Sequence, residues 1–233
     1  MPEVVIIRPG CTDFDEQNRI KGSLEIPMNS QGEEQIRRVV EQLANTPLEV
    51  IYADPTEPSL STAEAIGEEL DVKVKLTDEL RNLDQGLWEG LQVEDVEHKY
   101  PRVFRQWRES PESICPPEGE LASHAIDRIC KVLRKPLKKR DCFAIVASEP
   151  LATLIGWVVS EQKTELPNPS ACCGEEARVQ FFHCGTELSE HPFGKYSAMD
   201  TLVEVRSPFY SPSEPGANGH GEKKSRGSEG GSE

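Results

Sequence analysis

The chain has 233 residues, with 41 acidic against 26 basic side chains and a formal net charge of −15. That length holds one domain with a sizeable core, or a domain and a tail. The charge excludes nucleic acid and anionic membrane as default partners, because both need a basic footprint. A protein partner stays open, and nothing in the composition calls for a cofactor. The N-terminus has no basic stretch ahead of a long apolar segment, so no signal peptide is read there. No run approaches the roughly 18 apolar residues of a membrane span. The expectation is a cytoplasmic protein. Seven cysteines, at positions 11, 115, 130, 142, 172, 173 and 184, are an odd number without a framework pattern and read as free thiols. Cys172, Cys173, His183 and Cys184 could be drawn as a zinc set. The adjacent pair lacks the usual ligand spacing, and no metal is expected.

Strand-like and helix-like stretches alternate along the chain. Residues 4–7, Val-Val-Ile-Ile, form a continuous apolar run suited to a strand buried on both faces. Ser30 and Glu33 make a capping-box pattern, followed by Ile36, Val39, Val40 and Leu43 at helical spacing. Residues 50–53 read as a strand, 59–70 as a helix with Ala63, Ile66 and Leu70 inward, and 72–76 as an alternating edge strand. Helices are expected over 93–108 and 119–134, a strand over 142–147, an apolar helix over 151–160, and short strands over 177–182 and 201–205. This alternation predicts a three-layer α/β/α sandwich on a mostly parallel sheet. From about Ser207 the composition turns to Ser, Pro, Gly, Glu and Lys, too poor in apolar surface to offset chain entropy. The expected organisation is a domain over 1–206 and a disordered tail over 207–233.

Four segments together resemble the histidine phosphatase superfamily, the phosphoglycerate mutase-like proteins. The first is Arg8-Pro9-Gly10 leaving the first strand, extended by Ile26-Pro27-Met28-Asn29 and Gly32. The family has Arg-His-Gly there, and its histidine attacks a phosphoryl group. The second runs over residues 51–66 and the third over 80–90, Leu-Arg-Asn-Leu-Asp-Gln-Gly-Leu-Trp-Glu-Gly. The fourth, residues 144–157, contains Ser148-Glu149-Pro150 where the family has Ser-His-Gly. The resemblance implies a phosphate pocket built from two arginines, two histidines and a carboxylic acid. Of these, Arg8 is present. Pro9 stands at the nucleophile, Pro58 at the second arginine, Asn82 at the acid and Glu149 at the second histidine. Asn18 and Glu120 match their family counterparts.

A pyrrolidine ring offers phosphorus no lone pair and its oxygens no N–H. Asn82 cannot donate a proton as an acid. Glu149 would set a negative charge where the family binds a dianion. Each like-charge pair costs about 4 kcal/mol at 4 Å and an effective dielectric near 20, roughly what Arg8 alone returns. None of His98, His124, His183, His191 and His220 adjoins a motif. Cys11 has two readings: a reactive thiol near Arg8, or an inert small residue in a rebuilt loop. The family resemblance therefore implies a pseudophosphatase with a binding, regulatory or structural role. The alternatives are altered chemistry through Cys11 or Glu149, and an interaction module using the acidic surface or the tail. One geometric expectation follows, that Glu149 pairs with Arg8 and fills the place of the phosphoryl oxygens.

Overall fold

The structure, a computed structural model, describes residues 3–111, 114–162, 164–166, 178–183 and 203–204. The expected tail, His191 and Cys172, Cys173 and Cys184 lie outside the described residues. In chain order the elements are β1 (Glu3–Ile7), α1 (Asp13–Glu16), α2 (Ser30–Leu43), β2 (Val50–Ala53), α3 (Ser59–Leu70) and β3 (Lys73–Leu76). Single 3₁₀ turns at Asp78–Leu80 and Gly86–Trp88 lead into α4 (Val93–Lys99) and α5 (Pro101–Glu109). Then come β4 (Ile114–Cys115), α6 (Ala122–Lys139), β5 (Phe143–Val146), α7 (Leu151–Ser160), β6 (Val179–His183) and β7 (Val203–Glu204).

Five strands make one sheet in the order β3-β2-β5-β1-β6, parallel except for β6, which runs antiparallel to β1. The two-residue strands β4 and β7 pair separately. Because side chains alternate along a strand, each central strand feeds two cores. Val5, Ile7, Ala144 and Val146 pack under α2 and α3, against Ile36, Val39, Leu43, Ala63 and Ile66. Val4, Ile6, Phe143 and Ile145 face the opposite layer, which holds Ile126, Ile129 and Leu133 of α6, Leu154 and Val158 of α7, and Phe104 and Trp107 of α5. Burial on both faces is why β1 and β5 are uninterrupted apolar runs. At the outer edge β3 exposes Lys73 and Lys75, charges that discourage further strand pairing.

The three-layer α/β/α expectation holds, and several local boundaries move. The cap of α2 is Asn29, whose Oδ1 accepts from the Gly32 N–H at 3.0 Å, so Ser30 is already helical. The single helix expected over 93–108 is two, broken at Tyr100 (φ −131°, ψ 52°), because a residue before proline avoids the helical region and Pro101 suits a first helical position. The helix expected over 119–134 starts later, at Ala122, after a turn closed by Gly119 N–H to the Pro116 carbonyl. It also continues through the buried Pro136 and stops only at Arg140, in the left-handed region at φ 62°.

Gly32 is required by close approach. A Cβ there would lie 2.4 Å from the Cys11 carbonyl oxygen and 2.7 Å from the Cys11 nitrogen. Gly32→Ala should therefore destabilise the domain by about 1–3 kcal/mol, the usual range for overpacking against atoms that cannot move aside. Urea unfolding measures this, and an unchanged midpoint would refute it.

Candidate active site

Three parallel strands end side by side at one edge of the sheet. Ile7 and Ala53 both pair with Val146, so the residues that follow them, Arg8, Asp54 and the segment 147–149, emerge together. Helices α3 and α7 begin at the same edge, and their N-termini bring partial positive charge there.

Arg8 Nη2 lies 2.7 Å from Glu149 Oε1, with 21% and 8% of the two side chains exposed. The pair expected from the sequence is thus formed. The other oxygen, Glu149 Oε2, accepts from the Thr153 N–H at 3.2 Å and the Thr153 hydroxyl at 2.8 Å. Thr153 is the third residue of α7, so one carboxylate neutralises the arginine and caps the helix at once. The start of α3 repeats the side-chain part of this pattern. Glu57 precedes Pro58, the N-cap of α3, and accepts from the Ser61 hydroxyl four residues on.

Asn82 is 8% exposed and holds three segments together. Its Nδ2 donates to the Gly22 carbonyl at 2.8 Å and to the Glu149 carbonyl at 2.9 Å, while its Oδ1 accepts from the Leu151 N–H at 3.4 Å. A carboxylate could not make the first two bonds, since both partners are acceptors. Pro9 sits in a pinned loop. Its carbonyl accepts from Arg178 Nη1 at 2.5 Å, and the Arg8 N–H donates to the Arg178 carbonyl at 2.8 Å. The following N–H groups donate to Thr62 Oγ1 from Gly10 and to Gln35 Oε1 from Cys11.

Other sequence-predicted residues fall farther from this centre. Cys11 is 1% exposed, its thiol directed at the Thr12 carbonyl, which places it out of reach of a substrate. Glu120 accepts from Nε and Nη2 of a bidentate Arg128, at 2.9 and 2.8 Å. Arg128 in turn donates to the carbonyls of Glu79 and Asn82, so Glu120 supports the Asn82 loop indirectly. Asn18 adopts φ 53° in a turn, and its carbonyl accepts from the first N–H of α4. His98 and His124 are exposed on helices, and His183 pairs with Glu3 at the opposite end of β1. Among the described residues no group of three or more His, Cys, Asp or Glu could hold a metal, and no helix is long and apolar enough to cross a membrane.

Two residues escaped the sequence reading. Arg178 is buried and reaches Pro9 across 169 positions, a contact no local spacing announces. Asp54 is 4% exposed at the end of β2. Its Oδ2 accepts from Thr56 at 2.5 Å, and its Oδ1 is buried without a hydrogen-bond partner among the described residues. Burial pushes its carboxyl above the usual range, against the opposing pull of the Thr56 bonds and Arg81. The signal available was a carboxylate directly after a parallel strand.

Two outcomes follow. Glu149→Ala should destabilise the domain by about 2 kcal/mol, less than the 3–5 of a fully buried pair because Arg8 keeps some solvent. Sulfate should restore part of the melting temperature of that variant and leave the parent protein unchanged; no sulfate response in the variant would count against Arg8 as a latent anion site. Asp54 carries the opposite sign. A carboxyl with a raised folded pKa stabilises the fold below its unfolded pKa and loses that contribution as pH rises through the folded value. Asp54→Asn should therefore melt higher than the parent at neutral pH, with the gap closing on acidification towards pH 4, the ordinary carboxyl range. Melting curves across pH test it, and a lower melting temperature at neutral pH would refute it.

Residues 4–166 match the model of the histidine phosphatase superfamily (branch 1). The chain is 28% identical over 139 residues to phosphoserine phosphatase 1 of Hydrogenobacter thermophilus, covering 60% of this chain and 66% of that protein. It is 25% identical over 206 residues to the "Probable phosphoglycerate mutase GpmB" of Salmonella choleraesuis, covering 88% and 92%. Among solved structures, the mycobacterial glucosyl-3-phosphoglycerate phosphatase bound to VO3 superposes with a TM-score of 0.64 at 20% identity, over 74% of this chain and 85% of that one. Because the match over residues 4–166 covers more than half of the chain, the chain belongs to the histidine phosphatase superfamily, branch 1.

Proposed function

We propose that this chain is a pseudophosphatase, a histidine phosphatase fold whose site no longer performs phosphoryl transfer and whose role is binding, regulatory or structural. The observation that carries the reading is the Arg8–Glu149 pair at 2.7 Å, since the one arginine kept from the family's pocket is already engaged by an anion of the chain itself. Pro9 at the nucleophile position removes covalent catalysis, and Pro58 at the second arginine removes half the phosphate clamp. Asn82 at the acid position spends both amide hydrogens on backbone carbonyls and has no proton to give a leaving group. The domain spans residues 1–206 and the segment 207–233 is its tail.

Altered chemistry at the same place finds no support in the geometry. The Cys11 thiol is buried, and both Glu149 oxygens are occupied, by Arg8 and Thr153. Purified protein should release no phosphate above a buffer control from an aryl phosphate, phosphoserine or 3-phosphoglycerate, and should form no acid-labile phosphoenzyme. Turnover that disappears on Cys11→Ser would overturn the reading. Pro9→His alone should also stay inactive, because clamp and acid are still missing. Restoring Pro58→Arg, Asn82→Glu and Glu149→His with it should give at most weak activity, and in a less stable protein. The Asn82→Glu change leaves the Gly22 and Glu149 carbonyls unpaired, at about 1–3 kcal/mol each. Rates typical of an active phosphatase from the single Pro9→His change would mean that the pocket is intact in all but its nucleophile.

A further inference from the structure

The net charge of −15 is unevenly placed on the fold. From residue 131 to Arg140, the C-cap of α6, every exposed side chain is basic: Lys131, Arg134, Lys135, Lys138, Lys139 and Arg140. The first four stand at i, i+3, i+4 and i+7, and so share one face of the helix. The only carboxylate on α6 is Asp127, one turn before Lys131. Lys131 lies 3.6 Å from Glu79, and among the described residues the other five make no salt bridge. Carboxylates outnumber cations 41 to 26 in this chain, yet none is set between these six. Cations in a last turn complement the helix dipole, but that effect fades within a turn and does not reach Lys131 or Arg134.

The neighbouring sheet edge extends the same surface. Lys73 and Lys75 of β3 stand opposite Val50 and Tyr52, whose side chains pack with the α6 core, so both lysines project on the α6 side of the sheet. Across the sheet the balance reverses. There α2 and α3 expose Glu33, Glu34, Glu41, Glu64, Glu68 and Glu69 against two arginines. The sheet holds the two helical layers about 20 Å apart, two helix diameters, whereas charges are screened over about 8 Å at physiological ionic strength. A charged plane laid against α6 therefore meets the cations and is screened from the carboxylates behind them.

We propose that this face of α6 is a docking surface for an anionic lipid bilayer, which the protein binds peripherally and by charge alone. The make-up of the face favours that partner. Protein interfaces are anchored by apolar and aromatic side chains and are depleted in lysine. Here four lysines and two arginines surround no exposed apolar residue, since Leu133, Pro136 and Leu137 are buried and Val132 is half-buried. Clusters of about four to eight cations on a helix are what the surface potential of anionic lipids attracts. A single-stranded nucleic acid would add base stacking on aromatic rings, whereas Tyr52 is half-buried, with Lys75 Nζ 5.4 Å from its ring centroid. The chain's own residues 207–233 carry four carboxylates and three cations, too balanced to occupy the face. The average charge that sets membranes aside as a default partner thus conceals a local footprint. α6 ends where β5 begins, at the opposite end of the strands from Arg8 and Glu149, so lipid binding and loss of phosphoryl transfer stand or fall separately.

The test is flotation of the full chain with vesicles of equal parts phosphatidylserine and phosphatidylcholine, against phosphatidylcholine alone, at an ionic strength of about 0.15 M. Binding is expected to the anionic vesicles only. Lys135→Gln with Lys138→Gln should weaken it at least tenfold, because each cation near an anionic surface adds its own attraction. Arg37→Gln with Arg38→Gln makes the same change of net charge on the opposite layer and should leave binding within twofold. All four residues are exposed, so both variants keep the fold. No binding beyond the phosphatidylcholine control would overturn the proposal, and so would an equal loss in the two variants. A DNA duplex and a polyglutamate peptide stand for the other polyanions. Displacement of the protein from the vesicles by either, at matched charge concentration, would overturn the lipid assignment in favour of that partner.

Discussion

The register between β1 and β5 is the constraint on which the site depends. Ile7 lies opposite Val146, and that alignment is fixed by two cores that each claim alternate residues of both strands. A slip of one residue would exchange the α2–α3 face for the α6–α7 face along the whole strand. With the strands locked, Arg8 and Glu149 leave the sheet a short step apart. Their meeting is therefore a consequence of packing several residues away, and the charges have only to choose rotamers. Asp54 reaches the same edge through the equivalent pairing of Ala53 with Val146.

Around this edge the backbone is held by side chains that face inward to the protein. Glu149 and Glu57 stand at the starts of α7 and α3 and accept from Thr153 and Ser61, so the favourable end of each helix dipole meets a carboxylate of its own chain. Asn82 ties the Gly22 turn to the start of α7, and Arg128 braces the Asn82 loop from behind with Glu120. Glu89 fastens the Gly22 turn from the other side by accepting from the Ser23 N–H and hydroxyl. Four segments distant in sequence thus converge through these hydrogen bonds.

Much of this was legible in the sequence, and the illegible part has a common cause. The apolar runs at 4–7 and 143–146 announce buried strands because both faces are covered, and the helix at 151–160 stands out as a mostly apolar run. The pairing of Arg8 with Glu149 could be read because the family resemblance implies that the ends of those two strands are neighbours. Local punctuation was read less well: Pro101 splits a helix, whereas Pro136 lies inside one, and only the tertiary setting separates the two. Asn82 drew notice only for its place in the family motif and not as a clamp, since its three partners come from Gly22, Glu149 and Leu151. Arg178 and Asp54 went unnoticed because their importance arises from what surrounds them, a loop carbonyl in one case and an unfilled hydrogen-bonding direction in the other.

The doubly bonded Glu149 has a consequence for any anion that approaches Arg8. A carboxylate tethered beside its partner acts as a competitor at an effective concentration of millimolar or above, because it pays no translational cost to bind. Here the tether is stiffened by the Thr153 bonds, which hold the carboxylate in place even when the arginine momentarily lets go. A free anion must outcompete this resident at every encounter, so Arg8 is screened from dilute phosphorylated metabolites by mass action. Arg8 is thereby guarded without any lid or moving part.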